Sequence, residues 1–366
     1  MSFSNEKRIA ALREQMLATG TDLVVIGPST HMIYMSGVDP HGDERAVMLL
    51  VSQKHAGFLM PVLNADSARN KTDLPFVTWA DADGPIAAFN ELVSACELPA
   101  NPVIALDETM RADFALLVLD NVPHTARKFT NDTVGHLRAH KDEHEYALLK
   151  ASALLNDAAM QAGYDALKLG ITELEVATVI RDHFKANSAR PIFVSVCFGE
   201  NGAYPHHHTG ATKLQSGDAV MIDIGARLNG YPSDMTRSGF FGEPTEKFTQ
   251  VFDIVNEAVA KAIAAAKPGV KACEVDRAAR DHITQAGFGD YFLHRTGHGL
   301  GLDVHETPYI TGTSDVILEE GMVFSIEPGI YLAKEFGVRQ EEIVIMRSTG
   351  AEVLSDMPRD MIVKQA

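Results

Sequence analysis

The sequence predicts an α+β protein in two domains, and three observations carry that prediction. Short apolar strands alternate with amphipathic helices over the first third of the chain. Beyond residue 133 the texture changes, and a pattern of two helices followed by strands occurs twice. Each repetition buries one acid in an otherwise apolar run, Asp223 in 219–224 and Glu327 in 322–333. The expected layout is an α/β domain over residues 1–133 and an α+β domain over residues 134–366. The second domain would have pseudo-twofold symmetry and a site between its halves.

In chain order, residues 5–19 read as a helix with Ile9, Leu12, Met16 and Leu17 on one face, ended by Gly20. Residues 22–27 follow as a buried strand, and 46–51 with 56–60 as a hairpin pair. A helix over 85–94, a strand over 103–106 and a helix over 110–119 complete this alternation. His31, His41, His55, His124 and Trp79 lack any ligand spacing and are assigned structural or surface roles.

A polar hinge around 137–146 leads into a long helical pattern to about Leu167. Thr172 is an N-cap with Glu175 as its capping-box partner, and that helix runs to about Ala186. A strand over 192–198 precedes the apolar run holding Asp223. The turn pair Asn229-Gly230 then sends the chain back through Tyr231 and delivers Asp234 near Asp223. In the second half, a helix is expected from Pro244 as first residue to Lys267, another over 272–286, and strands at 322–328 and 338–346. Regular alternation over the last strand puts Arg339 and Glu341 on one face.

Composition bounds the function. With 32 Lys plus Arg against 49 Asp plus Glu, the net charge of −17 argues against nucleic acid or an anionic membrane as partner. Cys96, Cys197 and Cys273 are far apart and odd in number, as expected of reduced thiols rather than disulfides or a zinc knuckle. No apolar segment suits a signal peptide or a bilayer span, so a cytoplasmic protein is expected.

The chemistry gathers in the second domain. Asp223 and Asp234 are 11 residues apart, and Glu327 and Glu341 are 14 apart. Between the pairs lies a glycine-rich stretch, 294–306, holding His294, His298 and His305. Acids brought together repel, and an ionised carboxylate in an apolar strand is costly without a cation or several donors. Four carboxylates and an imidazole in one polar pocket suit one or two divalent first-row metals.

These motifs resemble the metallopeptidase family that contains methionine aminopeptidase, aminopeptidase P and prolidase, with its pita-bread fold. The matching pieces are Asp223 with Asp234-Met-Thr-Arg237, Gly297-His-Gly-Leu-Gly301 with His305-Glu306, Glu327-Pro-Gly-Ile-Tyr331 and Val338-Arg-Gln-Glu341. The first domain resembles the one shared by prolidase, aminopeptidase P and creatinase. The resemblance implies Asp223, Asp234, His298, Glu327 and Glu341 as ligands of two metal ions, with Asp234 and Glu341 bridging. It implies a water shared by the two ions as the attacking group and Glu327 as the proton carrier. His206, in Pro205-His-His-His208, and His305 would contact the scissile amide or the oxyanion, although His207 or His208 could take the place of His206. Arg339 would orient Glu341 or meet a substrate carboxylate, and Thr236 would support the ligands.

The family usually reads Ile-Glu-Asp after the arginine, whereas this chain reads Gln340-Glu341-Glu342. The expected activity is hydrolysis of Xaa-Pro amide bonds, as in prolidase or aminopeptidase P. Manganese is the expected metal, with cobalt, iron or zinc as alternatives. The resemblance also implies a homodimer. Two other readings use the same residues. One is a metal-dependent hydrolase or lyase acting on a non-peptide such as creatine or an ectoine-type compound. The other is a protein-binding pseudo-enzyme, which predicts missing ligands.

Overall fold

In the computed structural model, which describes residues 5–205 and 207–366, the apolar runs of the first third become a six-stranded sheet. Its unit comprises α1 (Asn5–Ala18), β1 (Leu23–Ile26), α2 (Thr30–Ser36), β2 (Met48–Ser52), β3 (Ala56–Pro61) and α3 (Val62–Arg69). It continues through β4 (Phe76–Trp79), α4 (Ile86–Ala95), β5 (Val103–Leu106), α5 (Ala112–Asn121), β6 (Ala126–Phe129) and α6 (Val134–Ala139). The strand order is β4-β3-β2-β1-β5-β6. β2 and β3 form the expected antiparallel hairpin, while β1 lies parallel to β5. Leu23, Val25, Leu50, Phe89 and Val118 fill its core, each contributing roughly 1.5–3 kcal/mol by burial. Two strands escape the sequence patterns. β4 is only partly buried, and β6 is largely exposed and carries Arg127 and Lys128.

The chain divides into compact units at Arg138 and Ala139, a few residues beyond the composition change at 133. The added residues stay with the first unit because Arg138 Nη1 lies 2.8 Å from Thr30 Oγ1 and 3.0 Å from His31 Nδ1.

The second unit opens with α7 (Glu143–Asp165), α8 (Glu173–Ala186), β7 (Arg190–Phe198), β8 (Asp218–Leu228), β9 (Tyr231–Pro232) and β10 (Met235–Phe241). Capping boxes start both helices, Asp142 with Glu145 and Thr172 with Glu175. The structure then repeats the plan with α9 (Glu246–Ala265), α10 (Ala272–Gln285), β11 (Gly297–Gly299), β12 (Glu306–Ile310) and β13 (Val323–Ile326). The last strands are β14 (Gly329–Leu332), β15 (Phe336–Arg339), β16 (Glu342–Arg347), β17 (Gly350–Val353) and β18 (Ile362–Lys364).

One sheet runs β18-β10-β8-β7, with β9 paired to β8, and the other runs β12-β11-β13-β16-β17. α7 and α8 pack on the first through Met160, Tyr164, Val176, Ile180, Phe184 and Ile222. α9 and α10 pack on the second through Phe248, Val255, Val275 and Phe324. Each apolar helix face thus covers one sheet, which is the α+β arrangement read from the repeated pattern.

Two local expectations change. α9 is capped by Thr245, whose side chain accepts from Phe248 N, so Pro244 precedes the helix instead of beginning it. The 338–346 run is not one strand: β15 pairs with β14, β16 joins the larger sheet, and Gln340 and Glu341 form the step between them.

Candidate metal centre

The two halves deliver their acids by different local means. Asp223 lies mid-strand on β8, paired across to Thr236 on β10 and Ser195 on β7. The Asn229-Gly230 turn reverses the chain with both residues at positive φ, 50° and 91°, as a tight hairpin turn requires. Asp234 then falls at the junction of β9 and β10. His298 is the middle residue of β11, Glu327 follows β13, and Glu341 is on the step between β15 and β16.

These side chains converge. Single ligand atoms of Asp234, His298 and Glu341 lie within 4.8 Å of one another. His298 Nε2 is 3.2 Å from Glu327 Oε1 and 3.7 Å from Asp234 Oδ2. Its other nitrogen, Nδ1, is 3.1 Å from the carbonyl of Gly299, which leaves Nε2 directed at the acids. Ser325 Oγ donates to Glu327 Oε1 at 3.0 Å and accepts from His298 N at 3.0 Å. One hydroxyl therefore sets the spacing of two candidate ligands.

Arg339 joins Asp223 to the remainder. Its Nη2 donates to Asp223 Oδ2 at 2.7 Å, its Nη1 to Tyr331 Oη at 3.0 Å and its Nε to Thr236 Oγ1 at 2.9 Å. Thr236 Oγ1 in turn donates to Glu341 Oε2 at 2.9 Å. The arginine is thus committed directly to Asp223 and reaches Glu341 only through Thr236. Glu342 pairs instead with Arg237 at 2.8 Å and Arg359 at 3.3 Å.

Charge is in excess. Burial, then repulsion from Glu341 and Asp223, pushes the Asp234 carboxyl well above the usual range. Burial, then Glu327 and Asp223, does the same to Glu341. Asp223 is raised by burial although Arg339 opposes the shift. For Glu327 burial also disfavours the charge, but the hydrogen bond and charge of His298, with His294 and Arg339, outweigh it and bring the carboxyl down to about 2. Asp223 Oδ1 is buried without a hydrogen-bond partner. An orphaned carboxylate oxygen beside acids that resist ionisation is what a site built for divalent cations presents when protein groups alone fill it. Oxygen donors with one imidazole suit hard to borderline ions.

The other expected residues fall as follows. His305 is exposed and packs edge-on against His298, ring centres 4.1 Å apart. His206 lies outside the described residues. His294, for which the sequence favours a structural role, is 2.7 Å from Tyr331 Oη through Nε2, while Nδ1 is 2.7 Å from the Arg295 carbonyl. The sequence motifs assign no function to Tyr331 or to Ser325. The available signal for Ser325 was its position two residues before Glu327 along an apolar strand.

The family model for metallopeptidase family M24 matches residues 147–348, and that for the creatinase/prolidase N-terminal domain matches residues 8–139. A putative dipeptidase YkvY of Bacillus subtilis is 34% identical, covering 97% of this chain and 99% of its own length. An Xaa-Pro dipeptidase of Pyrococcus furiosus is 32% identical over 98% of this chain and 100% of its own. The crystal structure of dipeptidase PepE from Mycobacterium ulcerans matches with a TM-score of 0.92 at 32% identity, covering 99% of this chain and 98% of that one.

Proposed function

The chain belongs to metallopeptidase family M24, and from that premise we propose that it is a metal-dependent Xaa-Pro dipeptidase. The observation that carries this reading is the convergence of Asp234, His298 and Glu341 within 4.8 Å of one another, with Glu327 at 3.2 Å from the imidazole. Asp223, Asp234, His298, Glu327 and Glu341 would hold two divalent ions, manganese by preference for an oxygen-rich donor set. Such ions supply an activated water at neutral pH and polarise the scissile carbonyl. Glu327, beside His298, would be the residue that accepts the proton of the attacking water and delivers it to the departing imino nitrogen. His305 and His206 meet the scissile amide or the developing oxyanion. Arg339 holds Asp223 directly and Glu341 through Thr236, and so fixes the distance between ligands from the two halves.

The relatives' names support a dipeptide over a longer peptide. The reading includes a cytoplasmic homodimer acting on small peptides; no helix among the described residues is long and apolar enough to cross a membrane. The test is metal analysis followed by assays of Xaa-Pro dipeptides, Xaa-Pro-Yaa tripeptides, creatine and cyclic amidines. Turnover of dipeptides alone is expected. Activity on tripeptides would move the reading to an aminopeptidase, and turnover confined to the non-peptides would overturn it.

A further inference from the structure

Glu173, the first residue of α8, is fully buried and belongs to no part of the metal centre. Its carboxylate is nevertheless saturated with donors from one segment. Oε1 accepts from Phe198 N at 2.9 Å and Asn201 Nδ2 at 2.8 Å. Oε2 accepts from Gly210 N at 2.9 Å and lies 3.0 Å from His207 Nε2. The backbone adds Glu173 N to Thr212 O at 3.0 Å and Leu174 N to Gly210 O at 3.0 Å. A buried carboxylate with four donors is satisfied without a full counter-charge, and the helix N-terminus favours its negative charge further. The Thr172–Glu175 capping box fixes that terminus in place.

The tethered segment, 198–205 and 207–210 among the described residues, leaves the end of β7, next to the strand bearing Asp223. Its far side rests on β15 so closely that a Cβ on Gly337 would collide with the Gly202 carbonyl. Gly337 is two residues from Arg339. The segment is therefore gripped on one side by Glu173 and on the other by the strand holding the centre's arginine. It carries the three consecutive histidines, of which His207 faces Glu173.

We propose that Glu173 is a positioning residue: through His207 and the amides of Phe198 and Gly210 it seats the histidine segment at the rim of the metal centre, and peptide hydrolysis depends on it although it never meets the substrate. His207 serves in this arrangement as a hydrogen-bond donor to Glu173 and not as a catalytic base. The kinetic consequence rests on the peptidase reading above; the tether itself does not.

The experiment compares Glu173→Gln, His207→Ala and His207→Gln with the wild type. Glutamine at 173 turns one acceptor into an amide that faces other donors. It is expected to keep the wild-type metal stoichiometry and lose roughly 10- to 100-fold in activity, as a small misplacement remote from the reacting atoms does. The loss should fall on kcat more than on KM. His207→Ala should lose activity and His207→Gln recover most of it, because the glutamine amide can donate where Nε2 does. Unchanged kcat in metal-loaded Glu173→Gln, or His207→Gln as inactive as His207→Ala, would overturn the proposal. The His207 pair leaves the carboxylate in place and decides the matter if Glu173→Gln fails to fold. Amide exchange supplies the independent arm: of the Phe198 and Gly210 amides, the one left facing the new NH2 group should open in Glu173→Gln while β8 stays protected, and unchanged protection of both would overturn the tether. Wild-type protein inactive on every Xaa-Pro peptide would refute the peptidase reading, and the exchange result would still judge the tether.

Discussion

Thr236 shows how much of the centre rests on single atoms. Its hydroxyl accepts from Arg339 Nε and donates to Glu341 Oε2, both at 2.9 Å. Thr236→Val removes that link and is expected to weaken metal affinity by about 10- to 100-fold, while Thr236→Ser restores it; metal titration by calorimetry distinguishes the two. Glu327→Gln should leave the fold and most of the bound metal in place yet abolish dipeptide turnover, since an amide cannot carry the proton. Measurable turnover in that variant would mean that another group does so. Asp223 and Glu327 stood out in the sequence because a lone charge in an apolar strand is costly and calls for a reason. Glu173 did not, since its donors lie 25 and 37 residues away in the chain and polar residues at a helix start are ordinary.

At the level of elements, the step between β15 and β16 places Glu341 by leaving the strand pattern. Alternation alone put Arg339 and Glu341 on one face, and the residues do meet at Thr236, but from the end of β15 and from the step beyond it rather than along one strand. The step is held by Arg237 on β10, which is fully buried. It donates to the Glu341 carbonyl at 2.6 Å, the Met357 carbonyl at 2.9 Å and Glu342 Oε1 at 2.8 Å. Nothing in the Asp-Met-Thr-Arg motif announces this, because the partners arrive from more than 100 residues later. Arg237→Ala strands the buried Glu342 charge with Arg359 alone and should cost about 3–5 kcal/mol of stability. Urea denaturation followed by circular dichroism measures it; a loss within experimental error would mean that the ion pair contributes little. Helices and their caps were legible from local rules, as Thr172 and Glu175 illustrate. Short edge strands such as β6 were not, because their residues neither alternate nor bury.

At the scale of the whole molecule, binding to the native state alone stabilises a fold, by about 2.7 kcal/mol at 100 times Kd, so chelation should lower Tm. The pH dependence has a definite sign. In the metal-free chain Asp234 and Glu341 are pushed above their ordinary range, and a carboxyl raised on folding favours the folded state most below its unfolded pKa. That contribution disappears as pH rises through the folded value. The gap in Tm between metal-loaded and chelated protein should therefore widen from pH 5 to pH 8, and a constant gap would contradict the assignment. The thiols give a separate check. Cys96, Cys197 and Cys273 are free and buried, and burial lifts Cys96 and Cys197 to about 11. Native protein should resist a thiol reagent at pH 8 and react fully once unfolded. The candidate ligands come from β8, the β9–β10 junction, β11, the end of β13 and the β15–β16 step. Neither half alone can grip an ion with the full set, so cation uptake dates the closing of one half on the other during refolding and can serve as its clock.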